Sequence, residues 1–586
     1  MKSFLKMLLA SIIGGALLIF IIFIIFASLI SLSAPELEVP NNTILRIDLN
    51  TAIVDRAQKN PFSSFDPVSG EPEVALGLNK AIAALKAAKD DEKILGVYLK
   101  GGIPMGDAAA VTELRNALLD FKSSGKFIYG YSEILTQKGL YIATAADSFF
   151  MNPEGFIEWA GLSASVTYYK EGLEKLGLEP VVFRASGNKF KSAVEPLLRQ
   201  EMSEENTTQL NEIIHSVWNT YLEDVSAATG LTIGQLNALA DSFAISGPED
   251  AVSNGLIAAS AYKDEIDSLL AKKSGSSIAN TNFLTIQKYG EDKGLNSTED
   301  FAENKVALII AQGGIQSGEG SEYTIGSERI AKAIRKARKN EDVKAIVLRV
   351  NSPGGSALAS EVIWREVMLA ADEKPFIASL GGVAASGGYY IAAFADTIIA
   401  QPNTITGSIG AFGVFFTAEE LLNDKLGINI ETVTTNRYAD LGTPDRKITP
   451  AEKAIFERQV DQVYQTFLQR VAKGRKLKTS YVDSIGGGRV YTGKRALELG
   501  LVDMLGGLDT AITIAAGKAG LEEYRVVEYP ELKDPIQQII EDLSGGYQAR
   551  ILKQELGTYA RYLEVLKEAQ SLEGMQTRLP YDIDIE

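Results

Sequence analysis

An internal repeat limits the folds open to this chain more than any other feature of its sequence. The segment "DEKILGVYLKGGIPMG" (91–106) matches "EDVKAIVLRVNSPGG" (341–355), with Leu99 opposite Leu348 and Pro104 opposite Pro353. The same offset of 249 residues sets "GLYIATAADSFFMNP" (139–153) against "GYYIAAFADTIIAQP" (388–402), Asp147 facing Asp396. "LEKLGLEPVVFR" with "LNDKLGINIETV", and "SGPEDAVSNGLI" with "TGKRALELGLVD", follow at nearly that spacing. Ordered matches at one offset mean a domain of about 250 residues present twice. Within each copy, short β-rich runs (94–99, 345–350, 376–380, 397–400) alternate with amphipathic stretches such as "SERIAKAIRKARKN" and "ALASEVIWREVMLAAD". That alternation predicts an α/β fold around a largely parallel sheet. The first copy is expected over 45–272 and the second over 305–535, with a Gly/Ser/Asn-rich linker at 273–304 and a helical tail over 536–586.

The copies differ where chemistry would sit. In "SLGGVAASGGYYIAAFAD" (379–396) Ser386 stands among glycines and alanines, just ahead of an apolar run. Small neighbours let backbone approach closely and let main-chain N–H groups face a ligand. Tight packing is the plain alternative. Opposite Ser386 the first copy has Gln137, and opposite Gly354 and Gly355 it has Met105 and Gly106. Conversely, the first copy carries Lys189 and Lys191 in "RASGNKFKSAVEP", where the second reads "TTNRYADLGTP" with Ala439, Asp440 and Leu441.

A serine hydroxyl is a poor nucleophile until a base takes its proton. Cysteine is absent and histidine occurs once, as His215 in the helix-periodic "NEIIHSVWNTYLEDV". A packing or surface role is the simpler reading of His215, which leaves a neutral lysine as base. A lysine of ordinary pKa, about 10.4, must be desolvated to serve. Lys191 lies beside Phe190, Ala193 and Val194; Lys189 is its local competitor, and a solvated lysine is the bland reading of either. "NSPGG" after a buried strand suits an oxyanion hole, with Gly354 or Gly355 as one N–H donor and Gly387 as the second.

Composition removes several other classes. A net charge of −17 in 586 residues argues against a nucleic-acid partner. Without cysteine there are no disulfides or thiolate metal sites, and one imidazole cannot assemble a histidine metal site. No metal or cofactor is expected. Residues 8–32 hold 25 consecutive uncharged, mostly apolar residues, enough to span a bilayer core of about 30 Å. Lys2 and Lys6 precede this run while Glu36 and Glu38 follow it, which predicts residues 1–7 in the cytoplasm and the body outside; a cleaved signal peptide is the competing reading, and the length of the run with Pro35 after Ser33 and Ala34 favours an uncleaved anchor.

The motifs "VLRVNSPGGSALASE", "LGGVAASGGYYIA", "NTITGSIG" and "KSAVEP" resemble the signal peptide peptidase A family, membrane-anchored bacterial serine proteases, in its long two-domain form. The likeness runs in order from about residue 45 to 535. It implies tandem Clp-protease/crotonase-like domains after one transmembrane helix, a Ser/Lys dyad, and no cofactor. Its implied activity is endoproteolysis of signal peptides and other apolar peptides left in the cytoplasmic membrane, by a homotetramer whose catalytic body faces outward. By position it makes Ser386 the nucleophile, Lys191 the general base, and Ser408 of "TGSIG" the residue that orients the lysine. A crotonase-like acyl-CoA enzyme and an inactive membrane scaffold are the alternatives.

Overall fold

The structure, a computed structural model, describes residues 39–57, 75–293, 302–532 and 574–579, together with Gly14. The expected anchor at 8–32, Gly14 apart, and most of the expected helical tail lie outside these residues. Among the described residues no helix is long and apolar enough to cross a membrane.

The duplication governs the architecture. The helices Leu78–Asp90 and Ser327–Lys339, and Ala108–Lys122 and Ala357–Ala371, start 249 residues apart. So do the strands Phe127–Leu135 and Phe376–Ala385, and Ser148–Ile157 and Thr397–Ala400. In the first copy, an all-parallel sheet runs Ala259–Ser260, Ser148–Ile157, Phe127–Leu135, Ile94–Lys100, Thr43–Asp48, Phe283–Thr285. In the second, Val490–Thr492, Ile405–Gly407, Phe376–Ala385, Val343–Ser352, Lys305–Gln312 and Arg525–Tyr529 lie in that order, parallel except at the Val490–Thr492 edge. The expected α/β class is therefore what the chain adopts.

Matching local chemistry starts matching helices. The Asp107 side chain accepts the Ala110 N–H at 2.8 Å, and Ser356 accepts that of Ala359 at 3.3 Å, each satisfying an orphan donor of the first turn. The passage expected as a linker is partly built into the fold. Phe283–Thr285 forms an edge strand on Thr43–Asp48, and the helix Ile286–Lys293 packs on Leu78–Asp90.

Many contacts join the copies, and two of them are central to the architecture. The first is a buried charge cluster. Arg349, on the central strand of the second sheet, donates to Asp55 at 2.7 Å and Glu113 at 2.8 Å from the first copy, and to Ser379 at 2.9 Å from its own. Glu113 also accepts the Leu508 N–H at 2.5 Å. The second is a strand exchange. Glu179–Arg184 of the first copy pairs antiparallel with Phe412–Thr417 of the second, in register from Glu179↔Thr417 to Arg184↔Phe412. This pairing delivers the loop after Arg184 to the second copy.

Candidate active site

Ser386 ends the buried strand Phe376–Ala385 and opens the helix Gly387–Ala392. Its φ of +53° and ψ of −116° are rare for a residue with a side chain, a conformation that costs about 1–3 kcal/mol and persists only where surroundings impose it. Here the Ser386 N–H donates to the Gly407 carbonyl and its own carbonyl accepts from Tyr390, both at 2.8 Å. Glycine or alanine on either side keeps the turn free of clashes: a methyl on Gly388 would stand 2.6 Å from the Ser352 carbonyl oxygen.

Lys191 reaches this serine from the other copy. After Arg184 the chain is tied down at successive points on the second copy. The Ser186 N–H donates to Asp461 at 2.8 Å, the Asn188 amide to the Ala411 carbonyl at 3.1 Å, and the Phe190 N–H to the Gly487 carbonyl at 3.1 Å. Behind the loop, Gln209 donates to Ser192 at 2.8 Å and to Asn206 at 3.0 Å. Arg489, ion-paired with Glu212 at 2.7 Å, covers the Phe190 ring at 4.9 Å. Gly488, with φ +83°, makes room for the base, since a Cβ there would lie 2.6 Å from that of Lys191. None of these supporting residues was legible beforehand, because each lies far in sequence from what it holds.

The Lys191 Nζ lies 2.8 Å from Ser386 Oγ, 2.9 Å from Ser408 Oγ and 3.1 Å from the Ser408 carbonyl oxygen. All three residues are fully buried. Each partner oxygen is neutral, and burial, which disfavours the ammonium, holds the Lys191 pKa well below the ordinary lysine value. Ser408, also at positive φ (+51°), is pinned by its N–H to the Arg489 carbonyl at 2.7 Å. Three neutral oxygens around a dry amine suit a base that takes a proton from Ser386 Oγ, with Ser408 fixing its direction.

The structure keeps the other candidates out. Lys189 is exposed. His215 is exposed on the helix Glu204–Thr229, its Nδ1 2.8 Å from the Asn211 carbonyl. In the first copy, Gln137 at the serine position is structural: its Oε1 accepts the Ala160 and Gly161 N–H groups at 2.9 and 2.7 Å. Asp440, at the lysine position of the second copy, is ion-paired with Arg446.

Of the three glycines expected to form an oxyanion hole, Gly354 stands against Gly387, the residue that follows the serine, while Gly355 packs on Ile315. Gly354 and Gly355 have φ of +100° and +152°, and a Cβ on Gly354 would stand 2.8 Å from the Gly387 nitrogen. The Gly354 N–H donates to Ser352 Oγ at 3.1 Å. Gly355 pairs with Ile315, and a Cβ on it would lie 2.1 Å from the Ile315 carbonyl oxygen. Among the described residues no acidic or histidine cluster could hold a metal ion.

Two stretches of the chain, residues 120–276 and 369–522, match peptidase family S49, one in each copy of the repeat. The chain is 35% identical to the chloroplastic serine protease SPPA of Arabidopsis thaliana, over 84% of this chain and 72% of that protein. It is 34% identical to Protease 4 of Salmonella typhi, over 80% and 76% of the two chains. With Protease 4 of Haemophilus influenzae it shares 36% identity over 74% and 72%.

Proposed function

The chain belongs to peptidase family S49 and is a serine endopeptidase, and from that premise we propose that it works through a dyad of Ser386 and Lys191 contributed by different copies of its repeat. The observation that carries this reading is the 2.8 Å contact between Lys191 Nζ and Ser386 Oγ in a fully buried setting. Family membership also removes the acyl-CoA enzyme and the inactive scaffold.

Neutral Lys191 accepts the Ser386 proton as Oγ attacks the scissile carbonyl, and the ammonium so formed protonates the leaving amine. Ser408 keeps Nζ aligned in both steps. The developing oxyanion meets N–H groups at the Gly354–Gly355 turn and at Gly387, where donors fixed in advance need no reorganisation. The Gly354 N–H, now donating to Ser352 Oγ, serves by a small rotation of that hydroxyl.

The substrates in this reading are signal peptides and other apolar peptides left in the cytoplasmic membrane. The charge-free run at 8–32 anchors the chain there, with the body outside. Assembly as a homotetramer has support in the repeat. Residues 428–433, equivalent to part of the exchanged strand Glu179–Arg184, are in no strand, with Ile428, Ile430 and Val433 exposed. Residues 163–168, equivalent to Phe412–Thr417, are likewise in no strand and alternate between exposed and half-buried. The exchange made once within the chain can thus be repeated between chains, closing a ring.

The test is hydrolysis of a synthetic signal peptide in detergent. Activity is expected for the full chain and lost in Ser386→Ala and Lys191→Met. Co-expressing those two variants distinguishes the origin of the site: an intrachain dyad leaves mixed oligomers inactive, whereas restored activity would contradict it.

A further inference from the structure

One buried amide touches both sides of the base, and the proposed mechanism gives it no part. Gln209 lies on the helix Glu204–Thr229 of the first copy and is buried, as is Asn206 one turn before it. Its amide nitrogen donates to Ser192 Oγ at 2.8 Å and to Asn206 Oδ1 at 3.0 Å, with a longer contact of 3.4 Å to the Phe190 carbonyl oxygen. Phe190 and Ser192 are the chain neighbours of Lys191. The donor half of the side chain therefore grips the loop on either side of the base.

The acceptor half reaches the second copy. Gln209 Oε1 accepts the Val490 N–H at 3.4 Å, and Val490 pairs with Gly407, the residue before Ser408. The Arg489 carbonyl accepts the Ser408 N–H at 2.7 Å, and the Gly488 N–H donates to the Ile409 carbonyl at 2.8 Å. Ser408 in turn supplies two of the three oxygens around Lys191 Nζ. Gln209 thus stands between the loop that carries the base and the strand edge that holds the residue orienting it. Further contacts along the helix keep the same alignment, Glu212 with Arg489 at 2.7 Å and Glu223 with Lys494 at 3.1 Å. Both of those pairs are solvent-exposed, where an ion pair counts for little, whereas losing a partner in the interior is costly. A glutamine fits the position because its amide donates at one atom and accepts at the other.

We propose that Gln209 is a positioning residue for the reaction: its one amide sets the register of the Lys191 loop against the strand edge that holds Ser408, and so keeps the base dry and in line with Ser386. The proposal rests on the Ser386/Lys191 reading. The oxygens around Nζ are all neutral, and burial is what holds this lysine below its ordinary pKa. A loop freed from Gln209 admits water to the amine, and hydration favours the ammonium, so the free base forms only at higher pH. The charged groups around the loop are already committed. Glu195 accepts the Ser203 hydroxyl at 2.6 Å, Asp461 accepts the Ser186 N–H at 2.8 Å, Glu212 pairs with Arg489, and Lys189 is exposed. An apolar residue in place of Gln209 changes none of these charges, so a shift in pH dependence reports the hydration of Lys191.

The pH dependence of soluble-peptide hydrolysis tests this in the full chain, for wild type, Gln209→Met and Ser192→Ala, with active sites counted by complete labelling with a serine-directed acylating probe. Gln209→Met is expected to move the midpoint of the profile up by about one unit, a fraction of the shift that full burial imposes. On the acid side of both midpoints, kcat per labelled site then falls about tenfold, with KM little changed. Ser192→Ala keeps Gln209 but removes its 2.8 Å contact, and is expected to move the midpoint the same way and to add nothing when combined with Gln209→Met. A merely structural role would lower the number of labelled sites and leave the midpoint in place, and that result overturns the proposal. So does a Gln209→Met chain with wild-type kcat at every pH. If Gln209→Met does not fold, an unshifted midpoint in Ser192→Ala overturns the proposal by itself. Activity surviving in Lys191→Met overturns the dyad; an inactive Lys191→Met beside an unshifted Gln209→Met overturns the positioning role and leaves the dyad intact.

Discussion

Replacing Lys191 with methionine should remove the pH dependence that this buried amine gives to stability, and should abolish activity. Lys191 is wholly buried, and burial lowers its pKa well below the ordinary value. Between the folded and unfolded pKa values the unfolded chain binds more protons, so wild-type stability rises with pH by about 1.4 kcal/mol per unit and levels off above about pH 10.4. Between those pKa values the fold forgoes this proton at a cost that grows by about 1.4 kcal/mol for each pH unit of acidification, while the three hydrogen bonds of the free amine return about 1 kcal/mol each. Methionine removes both contributions at similar volume. Relative to the wild-type chain, Lys191→Met should therefore gain stability as the pH falls, the difference changing by about 1.4 kcal/mol per pH unit between the folded and unfolded pKa values of the lysine. Urea unfolding of both chains at pH 7, 8 and 9, followed by tryptophan fluorescence, reads the difference. A stability difference that is the same at pH 7 and pH 9 would refute the claim that the fold holds this lysine neutral.

Arg349→Met should cost about 3–5 kcal/mol, because Asp55 and Glu113 are left buried without their cation, and denaturant midpoints of the variant should show it. Ser408→Ala removes the 2.9 Å contact that aligns Nζ, and kcat should fall at least tenfold with KM little changed, measured on a soluble peptide. Peptide hydrolysis should climb with pH through the lowered pKa of Lys191, since only the free amine accepts the Ser386 proton; stopped-time assays from pH 6 to 10 check this. His215→Ala should leave hydrolysis unchanged, as its ring is exposed and bonded only within its own helix.

What was readable beforehand follows from how information is laid along the chain. The offset between copies was legible because helices and strands such as Leu78–Asp90 and Ser327–Lys339 kept their lengths after duplication. Reciprocal loss, Gln137 against Ser386 and Asp440 against Lys191, signalled that the site is shared. The resemblance through "KSAVEP" chose Lys191 over Lys189, a choice that the two-residue spacing alone does not make. It is decided by strand exchange and by the space at Gly488, both of which depend on pairings hundreds of residues apart. Arg349 interrupts an apolar run in "AIVLRV", but its carboxylate partners sit in the other copy. The segment "GMQTR" (574–578), a strand between Gly354–Ser356 and Phe412–Thr417, has neither the alternation nor the β-branched content of a strand, and its neighbours supply the order that its own sequence lacks.

The central claim is that one lysine of the first copy activates one serine of the second. Its most direct measurement is the rate at which a serine-directed acylating probe labels Ser386, located by peptide mapping, in the wild-type chain, Lys189→Met and Lys191→Met. The account predicts equal labelling in the first two and labelling reduced at least a hundredfold in the third, with the fold intact. Labelling of Lys191→Met at the wild-type rate, or loss of labelling in Lys189→Met, would contradict it.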